Sequence, residues 1–406
     1  MTPPIATADR SGTSRDLAAA TAARVRAGMA HRDLDVDVVV AASPANVGYA
    51  TGYRSVAGDL FRAHQMAAVV DPTSTTLVCP AADTAPAMDA GVDARHLVPY
   101  GRFYFEVEGI PDGPHPSRMA DQHDGVVPAL AEALRRHGAA RGRVGLDLAG
   151  LGVHAEPLVA ALPDMRVVDV GPWFSRVRQH KLPGEVDRLR RAARLAEQGI
   201  DRALQEARPG CTEADLASIV GRTMLEGGGT PRFVVVTAGL RSALADAAAT
   251  TAVIERGDLI RFDVGCTVEG YWSDMARTAV AGPATDRQAD RYAALLAGEE
   301  AQLNRIRPGI RADDLFDLAV EVVEQQGITP YRRHHCGHGI GTEVYEPPIV
   351  APTVDALIEE HMTFCLETPF YELGWGGMMV EDTVVVTAEG HERFTVSDRS
   401  LRELDW

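Results

Sequence analysis

Long apolar runs, extended basic clusters and paired cysteines are what this sequence has little of, and each absence removes a class of protein. No run of eighteen or more apolar residues occurs among the 406, and the first thirty lack a basic start followed by an apolar stretch. Neither a membrane span nor a secretory signal is visible, so a cytoplasmic location is expected. The five cysteines, Cys79, Cys211, Cys266, Cys336 and Cys365, are odd in number, scattered and without CxxC spacing. That argues against a disulfide framework or a thiolate zinc site and reads as reduced, mostly buried thiols. Forty basic against 57 acidic residues give a net charge of -17, and the longest basic cluster is Arg332 and Arg333 beside two histidines. A nucleic-acid partner is therefore not expected, and a small-molecule substrate is.

What the sequence does have is enough apolar material, 46%, to fill two cores, and its length favours two domains. Residues 1–14, rich in Pro, Ser, Thr and Ala, read as a flexible leader, and Asp16 to about Ala30 has the apolar spacing of a helix. Strand-like runs at 36–43, 66–71, 75–80, 143–148 and 166–171 alternate with a helical stretch from Val126 to Arg136, which is α/β patterning. The segment RVRQHKLPGEVD mixes charges with helix breakers and then opens a long charged helix. It divides the chain into a first domain at 15–175 and a second at 180–406.

The second domain carries a faint internal repeat: ARPGCTEADL at 207–216 and IRPGIRADDL at 306–315. Each opens a helix followed by strand-rich sequence, the first with the capping-box pair Thr212 and Asp215. Two related halves should carry related chemistry. In the first, DLIRFDVGCTVEGYWSDMARTAV reads as two strands turning near Glu269 and Gly270, placing Asp263 and Asp274 on neighbouring strands. In the second, MTFCLETPFYELGWGGMMVEDTVVV puts Glu367 and Glu381 in the corresponding places around a Gly-rich turn.

Asp263 and Glu367 lie in apolar contexts, where an ionised carboxylate costs several kcal/mol unless it is paired or metal-bound. Arg261 and Arg277 are too few for four carboxylates, whereas two divalent cations would neutralise them and leave a histidine as fifth ligand. His338 in HHCGHGIG is the candidate, flanked by glycines that permit close backbone approach, with His334 and His335 as alternatives.

These segments, DVG, SDMART, GHGIG, LET and VEDT, resemble the ligand motifs of the pita-bread metallopeptidase family, which holds creatinase, prolidase and aminopeptidase P. SPANVGYATGY at 43–53 is similar to the creatinase-type N-terminal domain, so the resemblance spans the chain. It implies an α+β pita-bread catalytic domain behind an α/β creatinase-like domain. It also implies a dinuclear site with Asp263, Asp274 (bidentate), His338, Glu367 and Glu381 (bridging) as ligands. Two divalent ions, manganese, iron, zinc or cobalt, would acidify a water, and Glu367 would shuttle its proton. A homodimer is implied as well. Creatinase-like dimers complete a neighbour's pocket from the N-terminal domain, which singles out Tyr53, Arg54, Phe61 and Arg62, although ordinary mixed surface is the favoured reading of these four.

Three positions depart from the proline-specific pattern. Asp246 and Tyr345 stand where the family has histidines, and Met379 stands where it has an arginine. The exchange removes positive charge from the pocket. Asp246 could hold a cationic group, or it could be a loop residue displaced by misregister; Tyr345 could donate to a developing oxyanion, and Met379 would be apolar wall. His334 matches a histidine that borders the site in aminopeptidase P-like enzymes, or is surface.

The expected function is a hydrolase cleaving an amide or amidine C–N bond of a small cationic or zwitterionic substrate, and not a proline peptidase. The alternatives are an Xaa-Pro dipeptidase or aminopeptidase, a metal-dependent lyase, and a catalytically silent binding module.

Overall fold

The computed structural model describes residues 10–29, 34–61, 63–109, 115–118 and 123–406. Residues 1–9 of the expected leader, and Arg62, lie outside the described residues. The first helix spans Arg10–Met29, so it starts a turn and a half ahead of the expected Asp16 and takes in the end of the expected leader. Two compact units divide the chain, Met1–Val177 and Arg178–Trp406.

The first unit is built on a six-stranded mixed sheet. Its strands are β1 (Val38–Ala41), β2 (Ala67–Val70), β3 (Thr75–Pro80), β4 (Leu97–Tyr100), β5 (Arg143–Leu146) and β6 (Arg166–Asp169), in the order β4-β3-β2-β1-β5-β6. Both faces are covered. Val38, Val40, Ala67 and Val69 join one core with the helix Val126–Arg136, while Val39, Ala41, Ala68 and Val70 join another with Tyr49 of the helix Pro44–Thr51. That is why these strands are continuous apolar runs rather than alternating ones. Strand β4 was not legible in the sequence because Pro99 interrupts it; it sits at the sheet edge, where a missing N–H is tolerated.

In the second unit a larger sheet runs through β7 (Thr230–Ala238), β8 (Leu259–Val268), β10 (Met275–Val280), β11 (Gly337–Gly339), β12 (Glu346–Ile349), β13 (Thr363–Glu367) and β16 (Glu381–Val386). Its order is β12-β11-β13-β16-β10-β8-β7. The short β9 (Tyr271–Trp272) pairs with β8, and β14 (Phe370–Glu372) and β15 (Gly376–Met378) form a hairpin of their own. The helices Pro183–Glu206 and Glu213–Glu226 pack on β7, β8 and β10, and the helices Asp286–Arg305 and Ala312–Gln325 on β13 and β16. The two halves match in detail. Each RPG segment pairs with a later loop by one isolated bridge, Thr212 with Val253 and Arg311 with Leu357. The halves meet where β10 runs antiparallel to β16.

Candidate metal centre

Strand register brings three of the carboxylates into one row. Asp263 on β8 pairs with Ala276 on β10, Ala276 pairs with Glu381 on β16, and Glu381 pairs with Glu367 on β13. Residues directly opposite in a sheet point to the same side, so all three carboxylates share the face away from the helices. The alternate positions confirm the sidedness: Phe262 and Val264 join the core under the first helix pair, and Phe364 and Leu366 the core under the second.

Asp274 is not within a strand as expected. Glu269 and Gly270, both at positive φ (52° and 83°), close a two-residue turn between β8 and β9, and the chain then breaks at Ser273 and Asp274 before β10. Ser273 bonds back to Cys266 through its backbone N–H, at 2.8 Å, which fixes the break and directs Asp274 into the site.

His338 pairs with Cys365, two residues from Glu367, and so lies on the same face. The glycines beside it serve the sheet rather than a ligand. A Cβ on Gly337 would come within 2.4 Å of the Cys365 carbonyl oxygen, and one on Gly339 within 2.6 Å of that of Glu346. His338 Nδ1 lies 3.0 Å from the Gly339 carbonyl, which leaves Nε2 as the free ligand nitrogen, 3.6 Å from Asp274 Oδ2.

The five side chains fit divalent cations. Asp274 Oδ1, both Glu381 carboxylate oxygens and His338 Nε2 are buried without a hydrogen-bond partner among the described residues, an arrangement that costs several kcal/mol unless a cation answers it. Donor atoms of Asp263, Asp274 and Glu381 lie within 4.8 Å of one another. Burial, and then the charge of Asp274, pushes the Asp263 carboxyl up to about 8. Burial raises Asp274 too, and burial with Asp274 and Glu367 drives Glu381 well above its usual range. Glu367 differs: burial would raise it, but His335, with Nδ1 2.9 Å from its Oε1, together with His338 and Arg333 outweighs that and holds it low.

Asp263, Asp274, Glu367 and Glu381 line a cavity of about 350 Å³ that also takes in Asp246, Arg333, His334, His335, Tyr345, Tyr371 and Met379. Asp246, exposed on a turn, reaches the cavity. Its loop is anchored by Arg261, which is fully buried and donates to the carbonyls of Ser242, Leu244 and Ala245 and to Asp263 Oδ2. The Tyr345 ring stacks on His338 at 3.7 Å between centroids. His334 is exposed at the cavity wall, edge-on to His335.

Positive charge is nonetheless present at the cavity: Arg333 lines it, and the buried Arg261 lies over the ring of Tyr371, which lines it too. Neither their roles nor the contact of His335 with Glu367 was read from the sequence. An arginine inside the apolar strand IRFDVG was the available signal for Arg261; Arg333 had none.

A doubled half-sheet with carboxylates converging from both halves defines the pita-bread class. The family model for metallopeptidase family M24 matches residues 187–388, and that for the creatinase/prolidase N-terminal domain matches residues 22–180. An Xaa-Pro dipeptidase of Lactobacillus delbrueckii subsp. lactis is 31% identical over 255 residues, 62% of this chain and 69% of that protein. The Xaa-Pro dipeptidase of Pyrococcus furiosus is 31% identical over 223 residues, 54% of this chain and 64% of that protein, so just under two thirds of its length is matched. The structure of dipeptidase PepE from Mycobacterium ulcerans superposes with a TM-score of 0.78 at 24% identity, covering 96% of this chain and 98% of that one, a likeness of fold. The chain belongs to metallopeptidase family M24, with a creatinase-type N-terminal domain.

Proposed function

We propose that the chain is a dinuclear metal-dependent hydrolase that cleaves the amide C–N bond of a small, dipeptide-like substrate. The observation that carries this is the cluster of buried, unpartnered donors on Asp274, Glu381 and His338 beside Asp263 and Glu367. Bound there, two divalent ions of manganese, iron, zinc or cobalt supply a Lewis acid and an acidified water. Glu367, oriented by His335, accepts the proton of the attacking water and passes it to the leaving nitrogen. Tyr345 offers its phenol to the oxyanion, Asp246 attracts a substrate ammonium, His334 borders the entrance, and Met379 supplies apolar wall. A homodimer belongs to the same reading.

The names of the relatives support the Xaa-Pro dipeptidase alternative better than the non-proline reading of the sequence. A second reading, hydrolysis of a non-peptide amide or amidine, keeps one observation in its favour: Asp246, Tyr345 and Met379 all line the cavity. The deciding experiment compares Gly-Pro, Ala-Pro and Ala-Ala with creatine-like compounds on metal-reconstituted protein. Turnover of the dipeptides alone supports the first reading, and turnover of the creatine-like compounds alone overturns it.

A further inference from the structure

Among the described residues three buried cysteines fill apolar cores, Cys79 in the first unit and Cys266 and Cys336 in the second. Cys365 is as deeply buried and belongs to none of them. Its neighbours along β13, Phe364 and Leu366, take the core side, so strand alternation turns Cys365 to the face that carries Glu367. Register sets it one step along from the carboxylate row, opposite His338 on β11 and Thr383 on β16. There its Sγ lies 3.5 Å from Thr383 Oγ1 and 3.8 Å from the Asp274 carbonyl oxygen. The Thr383 hydroxyl donates to that same carbonyl at 2.9 Å. With that proton committed, the sulfur lone pairs have no donor among the described residues.

Ligand atoms of Cys365, His338 and Glu381 all lie within 4.8 Å of one another. His338 and Glu381 are fully buried, and His338 Nε2 and both Glu381 carboxylate oxygens lack a hydrogen-bond partner among the described residues. An imidazole, a carboxylate and a thiol make a mixed set. The other close group, Asp263, Asp274 and Glu381, is all oxygen, and Glu381 belongs to both. Oxygen sets suit hard ions such as manganese, whereas sulfur favours softer ones such as zinc.

We propose that Cys365 is a thiolate ligand on the His338 side of the centre, so that this position takes zinc or another thiophilic divalent ion in preference to manganese. As the sulfur–metal bond forms, the thiol proton passes to solvent. One thiol in a mixed set differs from the paired cysteines of a closed thiolate site. The proposal rests on the metal-centre reading above and names the ion that one side of it selects. The competing role for Cys365 is packing between His338 and Thr383, which would leave ion selectivity alone.

The test uses the metal-freed full-length chain as wild type, Cys365→Ser, Cys365→Ala and Cys211→Ser, the last removing the partly exposed thiol. Each is titrated with cadmium under ultraviolet absorption, and affinities for zinc and manganese are measured by calorimetry. Wild type and Cys211→Ser should develop a sulfur-to-cadmium charge-transfer band that saturates with the first equivalent, and both Cys365 variants should lack it. The preference for zinc over manganese should fall by roughly 10- to 100-fold in Cys365→Ser, the loss typical when a partner of a metal site is removed, with manganese affinity kept. X-ray absorption on wild type loaded with one equivalent of zinc needs no variant, and it should find one sulfur bonded to the ion. Zinc bound through nitrogen and oxygen alone, a cadmium band that survives in Cys365→Ala, or an equal fall for zinc and manganese in Cys365→Ser would overturn the proposal. Wild type that binds no divalent ion would defeat the metal-centre reading itself, whereas binding without sulfur defeats only the role of Cys365.

Discussion

Arg277 donates from Nη1 to the backbone carbonyl of Glu381 at 2.7 Å, across the seam where the two halves of the large sheet meet. The same nitrogen reaches the Ala276 carbonyl at 2.9 Å, and Nη2 reaches Asp382 Oδ1 at 2.6 Å. The ladder between β10 and β16 is a single residue pair, Ala276 with Glu381, so the buried guanidinium supplies hydrogen bonds that the strands do not. Arg277→Leu should destabilise the protein by about 3–5 kcal/mol, since it leaves Asp382 as a buried carboxylate short of its main partner. Urea unfolding checks this, and a loss below about 1 kcal/mol would contradict it.

The apo site stores repulsion, which gives a prediction of opposite sign. Among the described residues Glu381 has no hydrogen-bond partner on either oxygen, and it is pushed well above its usual range by burial and by Asp274 and Glu367. In metal-free protein, Glu381→Gln should therefore be at least as stable as wild type, although it removes a proposed ligand. A thermal melt in chelator should show an equal or higher Tm. A drop of about 4 °C or more, roughly 1 kcal/mol in a small domain and more in one of this size, would contradict the account.

Protons should leave when metal arrives. With its carboxyl near 8 in the absence of metal, Asp263 is largely protonated at pH 7, and a cation must displace that proton. Apparent affinity should rise with pH through about 8. Calorimetry in buffers of different ionisation enthalpy reads the proton release directly, and its absence at pH 7 would be inconsistent with this site.

Tyr345, about half exposed, stacks on His338 and lines the cavity, and its partial burial and the nearby Glu367 favour the neutral, donating phenol. Tyr345→Phe removes only the hydroxyl. If it serves the oxyanion, kcat should fall by about 10²- to 10³-fold with little change in KM. A change confined to KM would assign the residue to substrate packing.

Much of this site was legible because charge in an apolar strand is costly. Asp263 in IRFDVG and Glu367 in TFCLETPF declared themselves by context, and the repeat around the two RPG segments paired them with Asp274 and Glu381. All five expected strand runs of the first unit are strands and its helix Val126–Arg136 lies where expected, the four inner strands being continuous apolar stretches because both faces are covered. What could not be read depends on contacts distant in sequence. Arg333 meets Tyr371 only because β11 and the β14–β15 hairpin are brought to one rim, and Arg261 fixes Asp246 through carbonyls sixteen and seventeen residues away. The break at Asp274 hid behind a motif that also fits a plain hairpin.

The central claim is that the row of carboxylates and His338 hold metal, and a metal count on purified protein tests it most directly. After reconstitution with manganese, iron, zinc or cobalt and removal of excess ion, elemental analysis should find up to two divalent ions per chain, the number needed to balance four carboxylates. Asp274→Ala and Glu381→Ala should lose them while circular dichroism stays that of the wild type. Wild-type protein that holds none of the four metals would contradict the account.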